Sequence, residues 1–401
     1  HKVLLKRQHL TMPKNDLTFA NNFKLTTFAL KVTRCHPDII RNKFWIFQML
    51  LIIIMNTTVA WILLNSVVFH DIKSGDFAEV SKNVAMFIIC VTISFKLYII
   101  VRECKFLIET MNNMNQDYRD SPENERNIII KYTKRGAAVS KFWLAAASAT
   151  SCIYPAKAAV AMVHAYLNGE FHLVPMFDVA FPENLNEKKH NLEISLPFFT
   201  LCLTFALYAM TVYVCFDPLA PIFMLHVCGQ IEIINTKIAQ VFCNKDLTRE
   251  NFKTIVIKLQ ELYKFIRCIE KKFTIVYEFV MKTTTILLPL SAFQIVQSVQ
   301  RREVNLEFIS FFSAAMLHFW LPCYYSNQLM EKGEELRSAI YSCKWECSND
   351  LLARKMVLLM LVRATNPLVI SSVFYTIKLE TFTQMCRDAY AIFSIMNAAW
   401  S

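Results

Sequence analysis

The residues of this chain that could do chemistry are its thirteen cysteines, its nine histidines and a few charged side chains inside apolar runs. Cys343 and Cys347 flank Trp345, but no histidines accompany them at the spacing of a zinc site. Most cysteines lie in apolar or inner segments, where we expect free thiols. The histidines are scattered, and the sequence shows no Ser-His-Asp set, paired carboxylates or metal-ligand cluster. The sequence therefore predicts no enzyme, no cofactor and no metal.

Charged side chains inside apolar runs are unfavourable in a membrane unless they face water or a partner. Lys157 could contribute to a pocket or snorkel to the outer interface, and we favour snorkelling. Arg387 and Asp388 could line an inner vestibule or mark a subunit interface, and both interpretations stay open. Three other lysines fall toward inner ends of apolar runs, where we expect no special role: Lys96, Lys141 and Lys282.

Long apolar runs must position these residues. Hydrophobic residues make up 55% of the chain, and the mean hydropathy is +0.33. Such a composition favours a polytopic membrane protein over one soluble core. The chain shows no signal-peptide pattern, so we expect the first run to be retained as a span. Seven apolar segments can be marked, at about 44–68, 80–101, 139–166, 194–216, 275–297, 306–329 and 370–398.

The distribution of charge predicts the orientation. The net charge is +11, but the basic residues lie in loops between apolar runs, which suits an anionic cytoplasmic leaflet and not a nucleic acid. Lys and Arg are abundant in four segments: 1–43, 102–138, 217–274 and 330–355. The loops after the first and third apolar segments are acidic instead. Arg301 and Arg302 are the exception, because these basic residues lie in a loop that the pattern places outside. Seven spans with a cytoplasmic amino terminus place the carboxyl terminus outside, the reverse of a G-protein-coupled receptor.

Two inner segments carry apolar stripes at helical spacing. From Glu250 to Tyr277, apolar residues recur between Lys and Glu, and a similar stripe runs from Leu329 to Trp345. We expect a cytoplasmic helical bundle that continues from the spans. Its role could be to stiffen loops or to support oligomerisation, and we favour oligomerisation.

The last fifty residues combine an amphipathic helix from Leu351, a break at Asn366-Pro367 and a terminal apolar helix. Two stretches here resemble insect odorant receptors. The first is Tyr324-Tyr-Ser-Asn-Gln-Leu-Met-Glu-Lys-Gly-Glu-Glu-Leu-Arg-Ser-Ala-Ile-Tyr341 followed by Trp345, and the second is the terminal set Arg363, Pro367, Phe374, Leu379-Glu-Thr-Phe382, Tyr390 and Phe393. Together they cover about the last eighty residues.

The resemblance also favours one subtype. Gustatory receptors carry a terminal Thr-Tyr, five apolar residues and Gln-Phe, whereas this chain has Ala389-Tyr390 through Met396-Asn397. The family's co-receptor has a longer inner loop before its fifth span, whereas residues 217–274 are compact here. The chain is thus most similar to a ligand-tuned odorant receptor, and a gustatory-type channel or a polytopic transporter stays an alternative.

The resemblance implies a ligand-gated, non-selective cation channel in the plasma membrane of a sensory neuron. Its partners would be co-receptor subunits in a hetero-oligomer, expected to be a tetramer, together with membrane lipids, permeating cations and a small volatile odorant. The seventh helix would line the central pore. Beyond Asp388 that helix has no charged residue, so it could form a hydrophobic gate. By register with the family, Ile395 and Ala399 are the gate candidates, with Ser394 and Asn397 beside the conduction path.

The resemblance further implies an apolar ligand pocket in the outer half of the second, third, fourth and sixth spans. Such a lining would hold a volatile by apolar burial, with Ser151 or Tyr154 orienting a polar group. The candidate ligand-binding residues are Phe87, Val91, Ser151, Tyr154, Phe198, Cys202, Phe308, Phe311, Phe312 and Ala315.

Three regions follow from these expectations. Residues 1–43 form a cytoplasmic segment, 44–329 hold six spans and the ligand pocket, and 330–398 hold an inner anchor helix and the pore helix. The sequence names neither the odorant nor the subunit ratio.

Overall fold

The structure is a computed structural model that describes residues 18–75, 77–168, 173–177, 179–180, 192–241, 249–302, 305–348 and 350–400. Several charges that set the expected orientation lie outside these ranges. They include Lys2, Lys6 and Arg7 near the amino terminus, and Asp76, Glu183 and Glu187 in the outer loops.

The described residues are helical, with one isolated antiparallel bridge between Ser371 and Thr376 and no strand, which confirms the all-α prediction. In chain order the helices are α1 (Phe19–Asn22), α2 (Lys24–Val32), α3 (Lys43–Ser66), α4 (Ile72–Ser74), α5 (Phe77–Arg102), α6 (Cys104–Asp120), α7 (Glu123–Leu167), α8 (Leu192–Phe216), α9 (Leu219–Val241), α10 (Arg249–Gln300), α11 (Leu306–Tyr341), α12 (Leu351–Ala364) and α13 (Leu379–Trp400). A π-helical turn, Val67–Asp71, joins α3 to α4, and a 3-10 turn, Trp345–Cys347, precedes α12.

Five described helical segments are long and apolar enough to cross a membrane. They are Lys43–Ser74, Phe77–Arg102, Glu193–Val241, Phe252–Gln300 and Leu306–Tyr341, and they contain the first, second, fourth, fifth and sixth predicted spans. The third predicted span lies in α7, and the part of the seventh from Leu379 onward lies in α13; these two helices are not among the five.

Several helices are longer than a membrane is thick. At 1.5 Å per residue, the 45 residues of α7 extend about 68 Å and the 52 residues of α10 about 78 Å. A hydrocarbon core is only about 30 Å thick, so these helices continue well beyond it. We call the end of the molecule that holds α6 and α12 the inner end, and the opposite end the outer end. The inner extensions form the helical bundle that the apolar stripes predict.

The centre of the inner bundle is α9. Pro218 lacks a backbone N–H and follows the last turn of α8, so the chain breaks there and α9 begins at Leu219. Most residues of α9 are buried against α7, α10 and α11. At its margin Glu232 pairs with Lys131 at 2.9 Å and accepts a hydrogen bond from Tyr132 at 2.6 Å. Apolar packing therefore fixes α9, and polar contacts complete its edge.

The terminal helix begins at Leu379, later than the apolar segment from about 370 suggests. Residues 365–378 form an irregular loop instead, because two backbone bonds close a tight turn. Ser372 N donates to Tyr375 O at 2.7 Å, and Ile377 N donates to Ile370 O at 2.8 Å. The amide of Ile370 also donates to Ser326 Oγ at 3.1 Å, which ties the loop to α11.

Candidate functional site

An apolar cavity of about 110 Å³ lies inside the helix bundle, toward the outer end. Its wall is mostly aromatic and aliphatic, with a few hydroxyl groups and one imidazole. The aromatic and imidazole residues of the wall are Trp143, Tyr154, Phe177, Phe205, Tyr213, Phe311 and His318. Small residues of α7, α8 and α11 leave the space open: Ala146, Ala147, Ala206, Ala209, Ala314 and Ala315. An apolar space with a few polar groups is the usual form of a small-molecule site.

The structure brings four of the predicted ligand-binding residues to this cavity: Ser151, Tyr154, Phe311 and Ala315. Phe308 lines a separate pocket nearer the outer end. Phe87, Phe198, Cys202 and Phe312 pack in or against the hydrophobic core, and Val91 is 39% exposed.

Sequence reasoning missed two elements of the chain that line the cavity, the fifth span and the outer loop. Thr284 and Leu287 come from α10, the fifth span, and Phe177 comes from the outer loop. The fifth span is apolar on several faces, so its sequence does not show which face points inward. Phe177 lies outside any helical pattern, and no signal in the sequence identifies it.

A second, polar pocket of about 170 Å³ lies on the outer side of the cavity. Met86, Tyr154 and Phe177 line both spaces and therefore form the partition between them. The rings of Tyr154 and Phe177 are 5.3 Å apart between centroids, and Tyr154 Oη lies 3.7 Å from Met86 Sδ. A ligand entering from the polar pocket would have to displace this partition.

Lys157 lines the polar pocket and does not simply snorkel to the interface. Its Nζ lies 3.0 Å from Oε1 of Glu307, the first-turn acid of α11. The Lys157 side chain is 58% exposed and the Glu307 side chain 9%. The ion pair therefore joins α7 to α11 at the rim of the pocket.

The structure contradicts the expectation that Lys96 has no special role. Its side chain is 1% exposed, and its Nζ lies 2.7 and 2.9 Å from the two carboxylate oxygens of Asp217. His318 Nε2 is 3.0 Å away, and the Tyr213 ring centroid is 3.7 Å away. A buried ammonium needs such partners. Because Tyr213 and His318 also line the cavity, this charged cluster forms the layer directly beneath it.

The candidate pore residues lie on the last turns of α13. Ser394, Ile395 and Ala399 are exposed in the single subunit, with Ile395 70% exposed. Asn397 is partly buried, and its Oδ1 has no hydrogen-bond partner among the described residues. One face of α13 is thus left uncovered by the subunit's own helices.

A larger cavity of about 490 Å³ lies in the inner bundle between α6, α9 and α10. Charged and amide side chains line much of it, including Glu109, Asp117 and Lys258, and His226 Nε2 lies 2.9 Å from Asp117 Oδ2. An apolar molecule would leave these groups without water or a partner. The smaller outer cavity is therefore the better site for an apolar ligand.

The cysteines whose side chains the structure describes are free thiols, whereas Cys243 and Cys347 lie outside that set. Cys343, beyond the end of α11, is buried, and burial raises the pKa of its thiol. It is therefore a neutral side chain in the packing of the inner bundle.

The fold and the cavity define a class: a polytopic, all-helical membrane protein with a small apolar cavity inside its helix bundle. Comparisons with known proteins give the family. The model of the 7tm Odorant receptor family matches residues 76–390. The chain belongs to this family, which is one of receptors and not of enzymes.

The curated relatives that the chain matches are also odorant receptors. The chain is 37% identical to Odorant receptor 19a of Drosophila melanogaster over 78 residues, which cover 19% of this chain and 20% of the relative. It is 22% identical to Odorant receptor 13a of the same species over 202 residues, 46% of this chain and 48% of the relative. These matches span a fifth to a half of the relatives' own lengths.

A solved structure extends the likeness of the fold to nearly the whole chain. The insect olfactory receptor OR5 from Machilis hrabei in complex with eugenol superposes with a TM-score of 0.77 at 14% identity. The match covers 94% of this chain and 97% of that one. The fold is therefore that of an insect olfactory receptor, and the protein is a multi-pass membrane protein.

Proposed function

We propose that this protein is the ligand-tuned subunit of an odorant-gated, non-selective cation channel. A small volatile binds in the outer apolar cavity, and its binding opens a central pore lined by α13. The observation that carries the proposal is the apolar, aromatic-lined cavity within a fold shared with a receptor solved in complex with eugenol.

The size and the lining of the cavity suit a volatile. An engineered apolar cavity of about 150 Å³ admits benzene, so a space of about 110 Å³ suits a small volatile no larger than benzene. Contacts with aromatic rings supply dispersion and apolar burial, which need no charge on the ligand. Ser151, Tyr154, Phe311 and Ala315 are the predicted ligand-binding residues that this site would use.

The uncovered face of α13 supports a pore between subunits. Exposed apolar residues such as Ile395 need contact with another chain, with lipid or with a pore that can lose its water. In our assignment Ile395 and Ala399 narrow the pore, with Ser394 and Asn397 next to them. The long inner helices provide surface for assembly with co-receptor subunits into a tetramer.

We further propose the orientation and the regions that the loop charges predict. Residues 1–43 are cytoplasmic, 44–329 form six spans with the ligand cavity, and 330–398 form the anchor helix and the pore helix. The carboxyl terminus is extracellular, and the protein acts in the plasma membrane of sensory neurons.

The test is ligand-evoked current in cells that express the chain with an insect co-receptor, with the co-receptor alone as the reference. The decisive variant is Ala315→Phe, which places a ring inside the cavity. The matched control is Ala149→Phe, because Ala149 lies on an exposed face of α7.

We expect a panel of small volatiles to evoke current through the wild type and the control, but not through Ala315→Phe. Surface labelling of each variant separates loss of function from loss of delivery. Equal responses of Ala315→Phe and the wild type would place ligand binding elsewhere. Absence of current for every volatile, despite surface delivery with the co-receptor, would refute the channel function.

A further inference from the structure

His318 lies where the apolar cavity meets the buried charged cluster. Its ring lines the cavity, and its Nε2 is 3.0 Å from the ammonium nitrogen of Lys96. That nitrogen also contacts both carboxylate oxygens of Asp217, at 2.7 and 2.9 Å. His318 therefore lies between the cavity and the Lys96–Asp217 pair, whose contacts determine which nitrogen of His318 carries the proton.

The contact with Lys96 determines which ring nitrogen of His318 carries the proton. An ammonium group has three N–H donors and no acceptor. Two of these donors point to Asp217, and the 3.0 Å contact with Nε2 of His318 is favourable only if Nε2 accepts a hydrogen bond from the ammonium. A proton on Nε2 would instead face the ammonium. The imidazole is thus neutral with its proton on Nδ1, so Nδ1–H is a donor.

The Nδ1–H group of His318 donates to no other residue that the structure describes. Among the described residues, Nδ1 of His318 has no hydrogen-bond partner, since the contacts of the ring with Lys96 and Asp217 are made by Nε2. The ring cannot turn freely, because Trp143 and Tyr213 each pack edge-on to it with centroids 5.8 Å away. The donor is therefore fixed in direction at the wall of an apolar space.

Trp143 has a second unsatisfied donor, but this one is buried and does not reach the open space. Trp143 lines the same cavity and is only 4% exposed, and its Nε1–H has no hydrogen-bond partner among the described residues. Indole Nε1 can only donate. By contrast, the Thr150 hydroxyl already donates to the carbonyl of Ala146 at 2.9 Å. His318 thus offers an N–H donor at the wall of the cavity, and a carbonyl oxygen can accept it.

We infer that the cavity wall at His318 is a subsite for a carbonyl oxygen, in which His318 Nδ1–H is the donor. The favoured ligands are small ketones, aldehydes and esters, which accept hydrogen bonds without donating any. The inference rests on the proposed role of the cavity and names the ligand class of that same site.

The test compares two ligands of nearly equal shape, 2-pentanone and 2-methyl-1-pentene, in which a CH₂ group replaces the carbonyl oxygen. Dissociation constants are measured on the purified full chain in lipid nanodiscs by saturation-transfer NMR. Because water competes for the ketone oxygen, the readout is the ratio of the two constants in each variant and not the absolute affinity. The variants are His318→Phe, His318→Gln and Trp143→Phe.

We expect His318→Phe to weaken binding of the ketone about tenfold relative to the alkene, since the oxygen loses its donor. His318→Gln retains both a donor and an acceptor for Lys96 and should keep the ratio within about threefold of the wild type. Trp143→Phe should have a smaller effect than His318→Phe. The matched control is His164→Phe, an exposed histidine on α7, which should leave the ratio unchanged.

Other outcomes overturn the inference in distinguishable ways. If both ligands bind the wild type and His318→Phe with the same ratio, the subsite is refuted while the cavity remains a binding site. If neither ligand binds the wild type, or if Ala315→Phe binds both normally, the proposed function of the cavity fails as well. Should His318→Phe not fold, nitrogen NMR of ¹⁵N-histidine in the wild type decides. A proton on Nε2, or an Nδ1 signal that ignores 2-pentanone, overturns the assignment.

Discussion

Removing one member of the Lys96–Asp217 pair should destabilise the fold far more than breaking a surface pair of similar length. The Lys96 side chain is 1% exposed and that of Asp217 7%, so neither charge has water to replace its partner. Removing one member of a buried pair costs about 3–5 kcal/mol, because the other charge is left buried and uncompensated. We therefore expect Lys96→Met to lower the free energy of unfolding by about that amount.

Two further variants test the reasoning. Lys131→Met breaks an ion pair with Glu232 that is 2.9 Å long, against 2.7 Å for Lys96–Asp217, but the Lys131 side chain is 54% exposed. We expect it to cost at most about 1 kcal/mol, because solvent screens the pair and Glu232 keeps its bond to Tyr132. The double variant Lys96→Met/Asp217→Leu removes both buried charges and should be more stable than Lys96→Met alone.

Denaturant unfolding of the purified protein in detergent, followed by tryptophan fluorescence, gives the three free energies. If Lys96→Met costs no more than Lys131→Met, the two groups are not a buried charged pair, and the tautomer of His318 derived from it is also refuted. If the double variant is no more stable than Lys96→Met, the loss comes from packing and not from the unpaired charge.

Three further predictions concern other parts of the molecule. Ile395→Ala should raise the unstimulated current of the assembled channel, because a smaller side chain widens a hydrophobic gate; an unchanged current would remove Ile395 from the pore. Tyr154→Ala should speed ligand association in rapid-application recordings, since Tyr154 partitions the cavity from the outer pocket, and an unchanged rate would indicate another entrance. Gly333→Ala should destabilise the fold by about 1–3 kcal/mol in the same unfolding assay, because the added Cβ would lie 3.0 Å from Leu368 Cγ. If the variant is as stable as the wild type, the loop of residues 365–378 can shift to accommodate the methyl group.

The sequence predicted the helical class and the inner bundle because both depend on local patterns. Hydropathy over some twenty residues marks a span, and a stripe such as that from Glu250 to Tyr277 marks a helix face. The start of α13 was less predictable. Pro367 indicates a break, but the loop that delays the helix until Leu379 depends on a tight turn and on a hydrogen bond from the Ile370 amide to Ser326 of α11.

The cavity was predictable only in part. Ser151, Tyr154, Phe311 and Ala315 line it, as expected for the outer halves of the third and sixth spans. The charged layer beneath it was missed because Lys96 and Asp217 are 121 residues apart in the chain. A lysine near the end of an apolar run looks the same in sequence whether it snorkels or pairs. The Asp217-Pro218 junction was the available signal, since a carboxylate directly after an apolar span also needs a partner.

The position of His318 links ligand choice to the candidate pore helix. His318 and Phe319 are neighbours on α11, and successive helical side chains point about 100° apart. His318 faces the cavity and Lys96, whereas Phe319 is fully buried and its ring centroid lies 6.2 Å from that of Phe382 on α13. A movement of α11 that changes the donor of His318 therefore also changes its contact with α13.

A ligand shifts such an equilibrium only by its difference in affinity between the two positions of α11. A directional hydrogen bond distinguishes these positions more sharply than apolar contact does, because its strength falls steeply as the donor turns away. We therefore expect 2-pentanone at saturating concentration to open the channel more fully than 2-methyl-1-pentene, even where both fill the cavity. Maximal current at saturation measures this difference. Equal maxima for the two ligands would show that filling the cavity alone moves α11.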